Sequence, residues 1–267
     1  MKQTILITGA SSGFGLLIAN KLHESGYTVI GTSRSPEKHQ SQLPFKLLPL
    51  DISDSHSIES FGKQLFSQIN TLDVLINNAG YLVRGLAEET SIEMGKQQFE
   101  TNFWGTVKVT NALLPYFRKQ KHGKIITVGS MLGLISLPNV AYYAASKHAL
   151  EGYFKTLRME LNQFNIKVSM VEPSYFKTNI GNSASSASGD INDYNAFRQK
   201  ITSYTGTQFK NAPGPEPVMN TVLKIINEKN PKYSHPVGKG TSTILTLQRF
   251  AYGLLESTLL KNINAAK

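Results

Sequence analysis

The sequence of 267 residues contains no cysteine, and this absence excludes several kinds of site. Disulfides, thiolate metal sites and a cysteine nucleophile are all ruled out. Because a chain without cysteine fits a reducing compartment, we expect a cytoplasmic protein. No window approaches the roughly 18–20 uninterrupted apolar residues of a membrane-spanning helix. The first strand-like run begins at Gln3, so we also expect no signal peptide.

The sequence has fewer acidic than basic residues, with 18 Asp+Glu and 28 Lys+Arg, which gives a formal charge of +10. Two interpretations fit this charge, a nucleic-acid surface and a basic enzyme whose field favours an anionic cofactor. The basic residues are scattered, as in the run 118–122, and form no long block or stripe interleaved with aromatic residues. We therefore expect no nucleic-acid partner.

Short β-rich runs alternate with longer helical patterns along the chain, which is typical of a parallel sheet covered on both faces. The prediction is a single α/β domain over residues 1–267, a Rossmann-type doubly wound parallel sheet with helices on both faces. Predicted strands span 4–8, 28–32, 46–50, 72–76, 124–128 and 167–171, with an edge strand at 232–237. Predicted helices span 14–24, 54–68, 91–119, 141–163, about 191–201 and 217–228.

The character of the chain changes after Pro173. Small residues dominate Asn182 to Gly189, which predicts a mobile loop. Since a long loop inside a compact domain is usually functional, we predict a substrate-binding loop region at about 174–215.

A glycine-rich turn lies between the first strand and the first helix. Glycines there allow a tight turn and let the backbone approach a pyrophosphate at the helix N-terminus. The GxxxGxG spacing taken alone also fits a turn without a ligand. The predicted cofactor-binding residues of this turn are Gly9, Ser11, Ser12, Gly13, Phe14 and Gly15.

The second strand ends at Arg34, with no acidic residue before Glu37. An acidic residue at this position would bind the 2′-hydroxyl of the adenosine ribose, whereas an arginine can pair with a 2′-phosphate. Arg34 therefore predicts a preference for NADP(H), with a solvated surface arginine as the alternative.

Tyr143 and Lys147 stand four residues apart and so share one helix face. A free phenol, with a pKa near 10, is a sluggish acid or base at neutral pH. A nearby ammonium favours the phenolate, so we expect Lys147 to lower the pKa of Tyr143. Only Tyr143 has a lysine four residues on; the same step from Tyr142 reaches Ser146. The Tyr–Lys spacing by itself is also compatible with ordinary packing.

Four motifs in one order carry a family resemblance. They are TGxxxGxG at Thr8 to Gly15, NNAG at Asn77 to Gly80, Ser130, and YxxxK at Tyr143 to Lys147. With Asn102 in the helix between them, the chain closely resembles the short-chain dehydrogenase/reductase family over roughly residues 2–178. The string Val171-Glu172-Pro173 followed by Phe176 and Thr178 is similar to the branch of hydroxysteroid and retinol dehydrogenases, which related carbonyl reductases share.

The resemblance implies catalytic roles for four residues. It implies that Tyr143 is the general acid for ketone reduction and the base for alcohol oxidation, and that Lys147 binds the nicotinamide ribose. It implies that Ser130 holds the substrate oxygen and that Asn102 holds a water of the proton relay. For the cofactor it implies contacts from Asp51, Ile52, Asn78, Ala79, Gly80, Pro173, Phe176 and Thr178. The family commonly has glycine where this chain has Ser174, which puts the backbone path of that loop in question.

The expected function is NADP(H)-dependent reduction of a small hydrophobic ketone or aldehyde, reversible as oxidation of the secondary alcohol. Apolar residues in the predicted pocket loops suggest that substrate, although they could also pack among themselves. The alternative is a catalytically silent cofactor-binding regulator of the same fold. The expected pocket residues are Met131, Leu132, Leu134, Leu137, Tyr175, Phe176, Tyr194 and Phe197, with a further contribution from 81–86.

An apolar stripe runs through the C-terminal residues 241–264. Such a stripe can lie on a membrane surface or cover a core or a subunit contact, and we expect no membrane attachment. The family resemblance favours a homodimer or a homotetramer that forms through the helices beginning at Ser91 and Ala141.

Overall fold

A seven-stranded parallel sheet forms the centre of the molecule. The computed structural model describes residues 2–178, 184–187, 189 and 191–266. The strands follow the order β3-β2-β1-β4-β6-β7-β9 across the sheet. Their bounds are β1 Thr4–Ile7, β2 Thr28–Ser33, β3 Lys46–Pro49, β4 Val74–Asn77, β6 Gly123–Val128, β7 Ile166–Pro173 and β9 Ser234–Val237. A small separate pair joins β5 Val83–Arg84 to β8 Ser185–Ser186, also in parallel.

Helices cover both faces of the sheet, as the alternating pattern predicts. One face buries apolar side chains of α1 and α7, and the other buries those of α2, α4 and α5. The helices are α1 Gly13–Glu24, α2 Ser55–Phe66, α3 Ile92–Phe99, α4 Thr106–Gln120, α5 Ala141–Leu161, α6 Asn195–Lys210, α7 Glu216–Asn227, α8 Thr241–Phe250 and α9 Tyr252–Ala265. The predicted fold class is thus confirmed.

The direction of the chain across the sheet reverses at β1. From β1 the chain moves outward to β2 and β3, and it then returns to β4 on the other side of β1. In open α/β sheets the crevice outside the carboxyl ends of the strands at such a reversal is the usual ligand site. The fold therefore places a cleft where β1 meets the glycine turn.

The helix predicted from 91 to 119 is interrupted in its middle. A π-helix spans Glu100–Gly105 between α3 and α4, so the stretch is three helical segments in succession rather than one regular helix. This insertion changes which side chains face the cleft and which face the core. The predicted helix near 191–201 is also too short, because α6 continues to Lys210.

The predicted edge strand at 232–237 is confirmed as β9, which pairs with β7 at the border of the sheet. Pro236 can stand there because an edge strand does not need every backbone donor. The predicted mobile loop at 182–189 lies in part outside the described residues; within them, Ser185–Ser186 forms β8.

The C-terminal apolar stripe is two helices rather than one. Backbone at Ala251 (φ −149°) separates α8 from α9, and α9 packs against α6. Leu255 and Ile263 are buried, whereas Phe250, Leu254 and Leu260 are exposed. Within the described residues, no helix is both long enough and apolar enough to cross a bilayer.

Candidate active site

A cleft of about 1060 Å³ opens at the carboxyl ends of β1, β2, β4, β6 and β7. It collects most of the site residues that the sequence predicts. Of the predicted catalytic residues, those that line the cleft are Ser130, Tyr143 and Lys147. Of the predicted cofactor-binding residues, those that line it are Gly9, Ser11, Ser12, Gly13, Phe14, Arg34, Asp51, Ile52, Asn78, Ala79, Gly80, Pro173, Phe176 and Thr178. Two predicted residues, Gly15 and Asn102, lie outside its lining.

The glycine turn presents an open helix N-terminus to the cleft. Ser12 stands before α1 in extended backbone, and within the described chain its hydroxyl makes no capping hydrogen bond. The unpaired N–H groups of the first turn of α1 can therefore bind an anion such as a pyrophosphate. Gly9 and Gly13 have φ of +66° and +55°, a region that glycine adopts without strain.

Gly15 serves the turn through packing. A Cβ on Gly15 would lie 2.3 Å from the Gly9 carbonyl oxygen and 2.4 Å from Nδ2 of Asn78. That amide nitrogen donates to the carbonyl oxygens of Thr8 (2.9 Å) and Gly9 (3.0 Å). The NNAG segment after β4 thus holds the phosphate turn in place, and any side chain at Gly15 would push the two apart.

The end of the cleft beside β2 carries basic side chains. Arg34 lies there, exposed at the end of β2, and Lys38 and His39 line the same region from short 3₁₀ turns. Glu37 is exposed and is not among the residues that line the cleft. Sequence analysis missed Lys38 and His39, although a basic residue four positions after Arg34 was a visible signal. Arg34 and Lys38 can pair with an anion such as a phosphate at this end of the cleft.

Tyr143, Ser130 and Lys147 meet at the centre of the cleft, and each is less than a tenth exposed. Ser130 lies close enough to Tyr143 for its hydroxyl to lower the pKa of the phenol. The Lys147 ammonium nitrogen donates to the Val128 carbonyl oxygen at 3.1 Å and lies 5.6 Å from the centroid of the Tyr143 ring. The Tyr143 phenol, the Ser130 hydroxyl and the Lys147 ammonium therefore lie close together in the cleft.

Burial dominates the protonation of this cluster. It raises the pKa of Tyr143 to about 12, against the smaller lowering effect of the Ser130 hydrogen bond. Burial also lowers the pKa of Lys147 to about 8, opposed by the negative charge of Glu151. The sequence-based expectation of a lowered pKa for Tyr143 is thus wrong for the protein by itself, because the desolvation of the phenolate outweighs the lowering effect of Ser130.

Tyr142 faces away from this cluster. Its ring packs on α3, where a Cβ on Gly95 would lie 2.5 Å from the ring carbon Cε1. Tyr142 lies outside the cleft lining. Of the two adjacent tyrosines, only Tyr143 lines the cleft.

Asn102 is buried in the π-helix and holds backbone instead of facing the cleft. Its Oδ1 accepts from the Tyr81 N–H at 3.0 Å and its Nδ2 donates to the Tyr81 carbonyl oxygen at 2.9 Å. The side-chain amide is thus occupied by the loop that follows the NNAG segment. The water-holding role that the resemblance implies for Asn102 stays a prediction.

The loop after β7 keeps a regular path despite Ser174. The Ser174 N–H donates to the Val237 carbonyl oxygen at 2.9 Å, which continues the pairing of β7 with β9. Room for the serine comes from Gly238, where a Cβ would lie only 2.0 Å from Ser174 Oγ. Pro173, Phe176 and Thr178 consequently line the cleft as predicted.

The remaining wall of the cleft is largely apolar, and its residues come from several segments of the chain. Predicted pocket residues Met131, Leu132, Leu137, Tyr175 and Phe176 lie in it, whereas Leu134, Tyr194 and Phe197 lie outside. Tyr194 instead donates its hydroxyl to Glu88 at 2.8 Å. The predicted substrate-binding region at about 174–215 contains the lining residues of α6, which are Tyr204, Thr205, Gln208 and Phe209. The contributions of α8 and α9, which are Ile244, Leu255 and Leu259, were not predicted from the sequence.

Comparison with known proteins gives a consistent assignment. The sequence matches the family model described as short chain dehydrogenase over residues 3–189. It is 38% identical to an uncharacterized oxidoreductase of Bacillus subtilis, YusZ, over 98% of this chain and 99% of that protein. It is 37% identical to a 3-ketodihydrosphingosine reductase of Bacteroides thetaiotaomicron over 88% of each chain.

Solved structures agree with the sequence relatives. A short-chain dehydrogenase from Streptomyces avermitilis superposes with a TM-score of 0.84 at 29% identity, covering 98% of this chain and 94% of that one. Solved structures of the same fold include complexes with NADH, with NAD and with NADP.

Proposed function

This chain belongs to the short-chain dehydrogenase family and is an oxidoreductase of that family, and we propose that it reduces a hydrophobic ketone or aldehyde with NADPH, reversibly. The observation that carries the proposal is the buried cluster of Tyr143, Ser130 and Lys147, in a cleft whose other end is an uncapped helix N-terminus. The apolar lining of the cleft supports a hydrophobic substrate. The similarity to a protein named 3-ketodihydrosphingosine reductase also supports a hydrophobic ketone as the substrate.

Different segments of the chain would bind different parts of the cofactor. The first turn of α1 would hold the pyrophosphate, Arg34 with Lys38 a 2′-phosphate, and the loop from Pro173 to Thr178 the nicotinamide side. The bound nicotinamide supplies the hydride for reduction or accepts it in oxidation.

Tyr143 and Ser130 would act together on the substrate oxygen. The Ser130 hydroxyl donates a hydrogen bond to the carbonyl oxygen, where negative charge develops as the carbonyl carbon is reduced. The Tyr143 phenol, protonated at neutral pH because burial raises its pKa, then passes its proton to that oxygen and completes the alcohol. Lys147 provides the adjacent positive charge that stabilises the phenolate left behind.

A steady-state assay with matched tyrosine variants tests this function. Oxidation of NADPH and of NADH is followed by absorbance over steroid, aryl-ketone, aldehyde and keto-ester panels. Tyr143→Phe should lower kcat/KM by about 10²–10⁴-fold, since it removes the proton donor. Tyr142→Phe changes the neighbouring ring in the same way and should leave kcat/KM nearly unchanged, because Tyr142 lies outside the cleft.

Two outcomes would overturn the proposal. Loss of activity in Tyr142→Phe with activity retained in Tyr143→Phe would refute the assignment of the proton donor. Binding of NADPH without turnover of any carbonyl in the panels would favour the catalytically silent regulator.

A further inference from the structure

Arg84 brings a positive charge into the substrate side of the cleft. It ends β5, and its carbonyl oxygen accepts from the Ala187 N–H at 2.8 Å. The next residue, Gly85, donates its N–H to the Asn139 carbonyl oxygen at 2.9 Å and bridges to Val140. Val140 stands just before α5, three residues ahead of Tyr143. The backbone of Arg84 is therefore held between β8 and the start of the helix that carries the proton donor.

Aromatic rings fix the orientation of the Arg84 side chain. Its guanidinium carbon lies 5.3 Å from the centroid of the Phe209 ring, a cation–π distance. Phe209 in turn meets the edge of Tyr175, with ring centroids 5.0 Å apart. Arg84, Tyr175 and Phe209 all line the cleft. The stacked guanidinium thus presents its N–H groups from a rigid aromatic wall.

Acidic residues near Arg84 in the chain are engaged elsewhere. Glu88 accepts from the hydroxyl of Tyr194, and Glu89 forms a buried ion pair with Arg198. Among the residues that the structure describes, Arg84 forms no salt bridge and no side-chain hydrogen bond. Its half-buried charge is therefore compensated only by aromatic faces and solvent.

A half-buried guanidinium in an apolar wall is unfavourable unless an anion pairs with it. In the proposed function the glycine turn and Arg34 would hold the cofactor phosphates at the other end of the cleft, away from Arg84. We propose that Arg84 binds an anionic oxygen group of the substrate, a carboxylate or a phosphate, separated from the reacting carbonyl by an apolar chain. This inference rests on the proposed function and narrows its substrate class.

The experiment compares anionic and neutral substrates that share the same carbon skeleton. Wild-type enzyme with NADPH is assayed on oxo-carboxylic acids of increasing chain length, on their methyl esters, and on oxoalkyl phosphates of matched length. For at least one chain length kcat/KM should favour the anion over the ester by about tenfold, the usual range for one charge-assisted hydrogen-bonded pair. The acid and phosphate arms show which anion the pocket takes.

Variants separate recognition by Arg84 from support of the fold. Arg84→Met should lower kcat/KM for the anion to the level of the ester, mainly through KM, and leave the ester rate within about twofold. Arg84→Lys keeps the charge but not the planar fork and should restore part of the preference. Lys210→Met removes the same charge from the residue next to Phe209, outside the cleft lining, and should leave the preference intact.

The results distinguish this inference from the proposed function. Reduction of the esters by wild type without any preference for the anions would overturn the role of Arg84 and leave the reductase standing. An equal loss on acid and ester in Arg84→Met would show that the stack on Phe209 only supports α6, and would also overturn it. Absence of turnover on every compound would refute the reductase itself.

Discussion

Arg34 decides the preference between the two pyridine nucleotides in the proposed function. Arg34→Gln should lower kcat/KM for NADPH by about 10–100-fold, because a charge-assisted pair with the 2′-phosphate is lost, and should leave NADH nearly unchanged. Steady-state kinetics with both cofactors measure this change. Lys46→Gln removes an equal charge at the start of β3, outside the cleft, and controls for net charge. A wild-type preference for NADH would show that Arg34 is only a solvated surface residue.

Two carboxyl groups are buried behind Lys147. Burial raises the pKa of Glu151 to about 7, and burial together with the charge of Glu151 raises that of Glu172 to about 8. Glu172 is fully buried, and its Oε2 accepts from the His235 N–H at 2.7 Å. The Tyr233 hydroxyl donates to Glu151 Oε2 at 3.3 Å. Since two adjacent carboxylates oppose each other's ionisation, the folded state favours a protonated Glu172 near neutral pH.

Glu172 should make the stability of the fold depend on pH. Its folded pKa of about 8 lies above the ordinary value of 4.5, so its contribution is fully present below pH 4.5 and is lost as the pH rises through 8. The free energy of unfolding should fall by a few kcal/mol between pH 4.5 and 8, because the unfolded chain releases this proton at a lower pH than the folded protein. Glu172→Gln keeps the shape without the titration and should flatten the slope in denaturant melts at pH 5–9.

An exposed acid provides the comparison for Glu172. Glu59→Gln on α2 makes the same chemical change in solvent and should keep the wild-type slope. A Glu172→Gln protein whose stability still falls as steeply as wild type between pH 5 and 9 would contradict the assignment.

At the scale of single residues, the identity of the candidate catalytic residues was predictable from the sequence, but the burial and the neighbours of their side chains were not. Tyr143, Lys147 and Ser130 could be assigned from their spacing and order. The pKa direction of Tyr143 could not, because burial of the phenol depends on how distant elements pack. Arg84 shows the same limit: its sequence neighbourhood gives no sign that Phe209, far along the chain, would stack on it.

At the scale of secondary structure, the π-helix at Glu100–Gly105 is the element that pattern analysis missed. Apolar periodicity across 91–119 predicts one helix, and a single inserted residue does not interrupt that pattern visibly. The cause lies in tertiary structure. Gly105 approaches the backbone of Ile52, where an added Cβ would lie 2.3 Å from the carbonyl oxygen. Ile52 lines the adenosine end of the cleft, so this contact connects the π-helix to the proposed cofactor site.

Gly105→Ala should therefore destabilise the protein and weaken cofactor binding. The methyl group meets backbone that cannot rotate away, which costs about 1–3 kcal/mol, and displacement of Ile52 should raise the Kd for NADPH. Gly152→Ala is the matched control in α5, where nothing lies within 4 Å of an added Cβ. It should stabilise by about 0.5–1 kcal/mol, because alanine is the better helix former. Thermal melts and NADPH titration measure both; a Gly105→Ala protein as stable as Gly152→Ala would contradict this account.

At the scale of the whole molecule, the parallel sheet and its helical layers followed from alternating strand-like and helix-like patterns. The substrate wall did not. Ile244, Leu255 and Leu259 reach the cleft from the C-terminal helices because α9 packs on α6, a contact between segments about 50 residues apart. A periodic apolar stripe shows that residues are covered, but it does not show what covers them.

The outer surface carries a feature that bears on assembly. Trp104, the single tryptophan of the sequence, lies 49% exposed in the π-helix. The π-helix packs on α5 through Phe103 and Tyr153, whose ring centroids are 6.1 Å apart. Trp104 thus lies within 91–119, one of the two segments through which the sequence predicts self-association, on a π-helix that packs on the other, and we propose that it is buried between copies of this chain.

Trp104→Glu should dissociate the assembly. A charge placed in an apolar contact is left without a partner, so light scattering after size exclusion should give the single-chain mass of 29.5 kDa, where wild type gives a multiple of it. Dilution of wild type should shift tryptophan emission to the red, since Trp104 is the sole reporter. Phe250→Glu changes an even more exposed aromatic (75%) away from these helices and should leave the mass unchanged. A wild-type mass of one chain, or a Trp104→Glu protein with the wild-type mass, would place the subunit contact elsewhere or remove it.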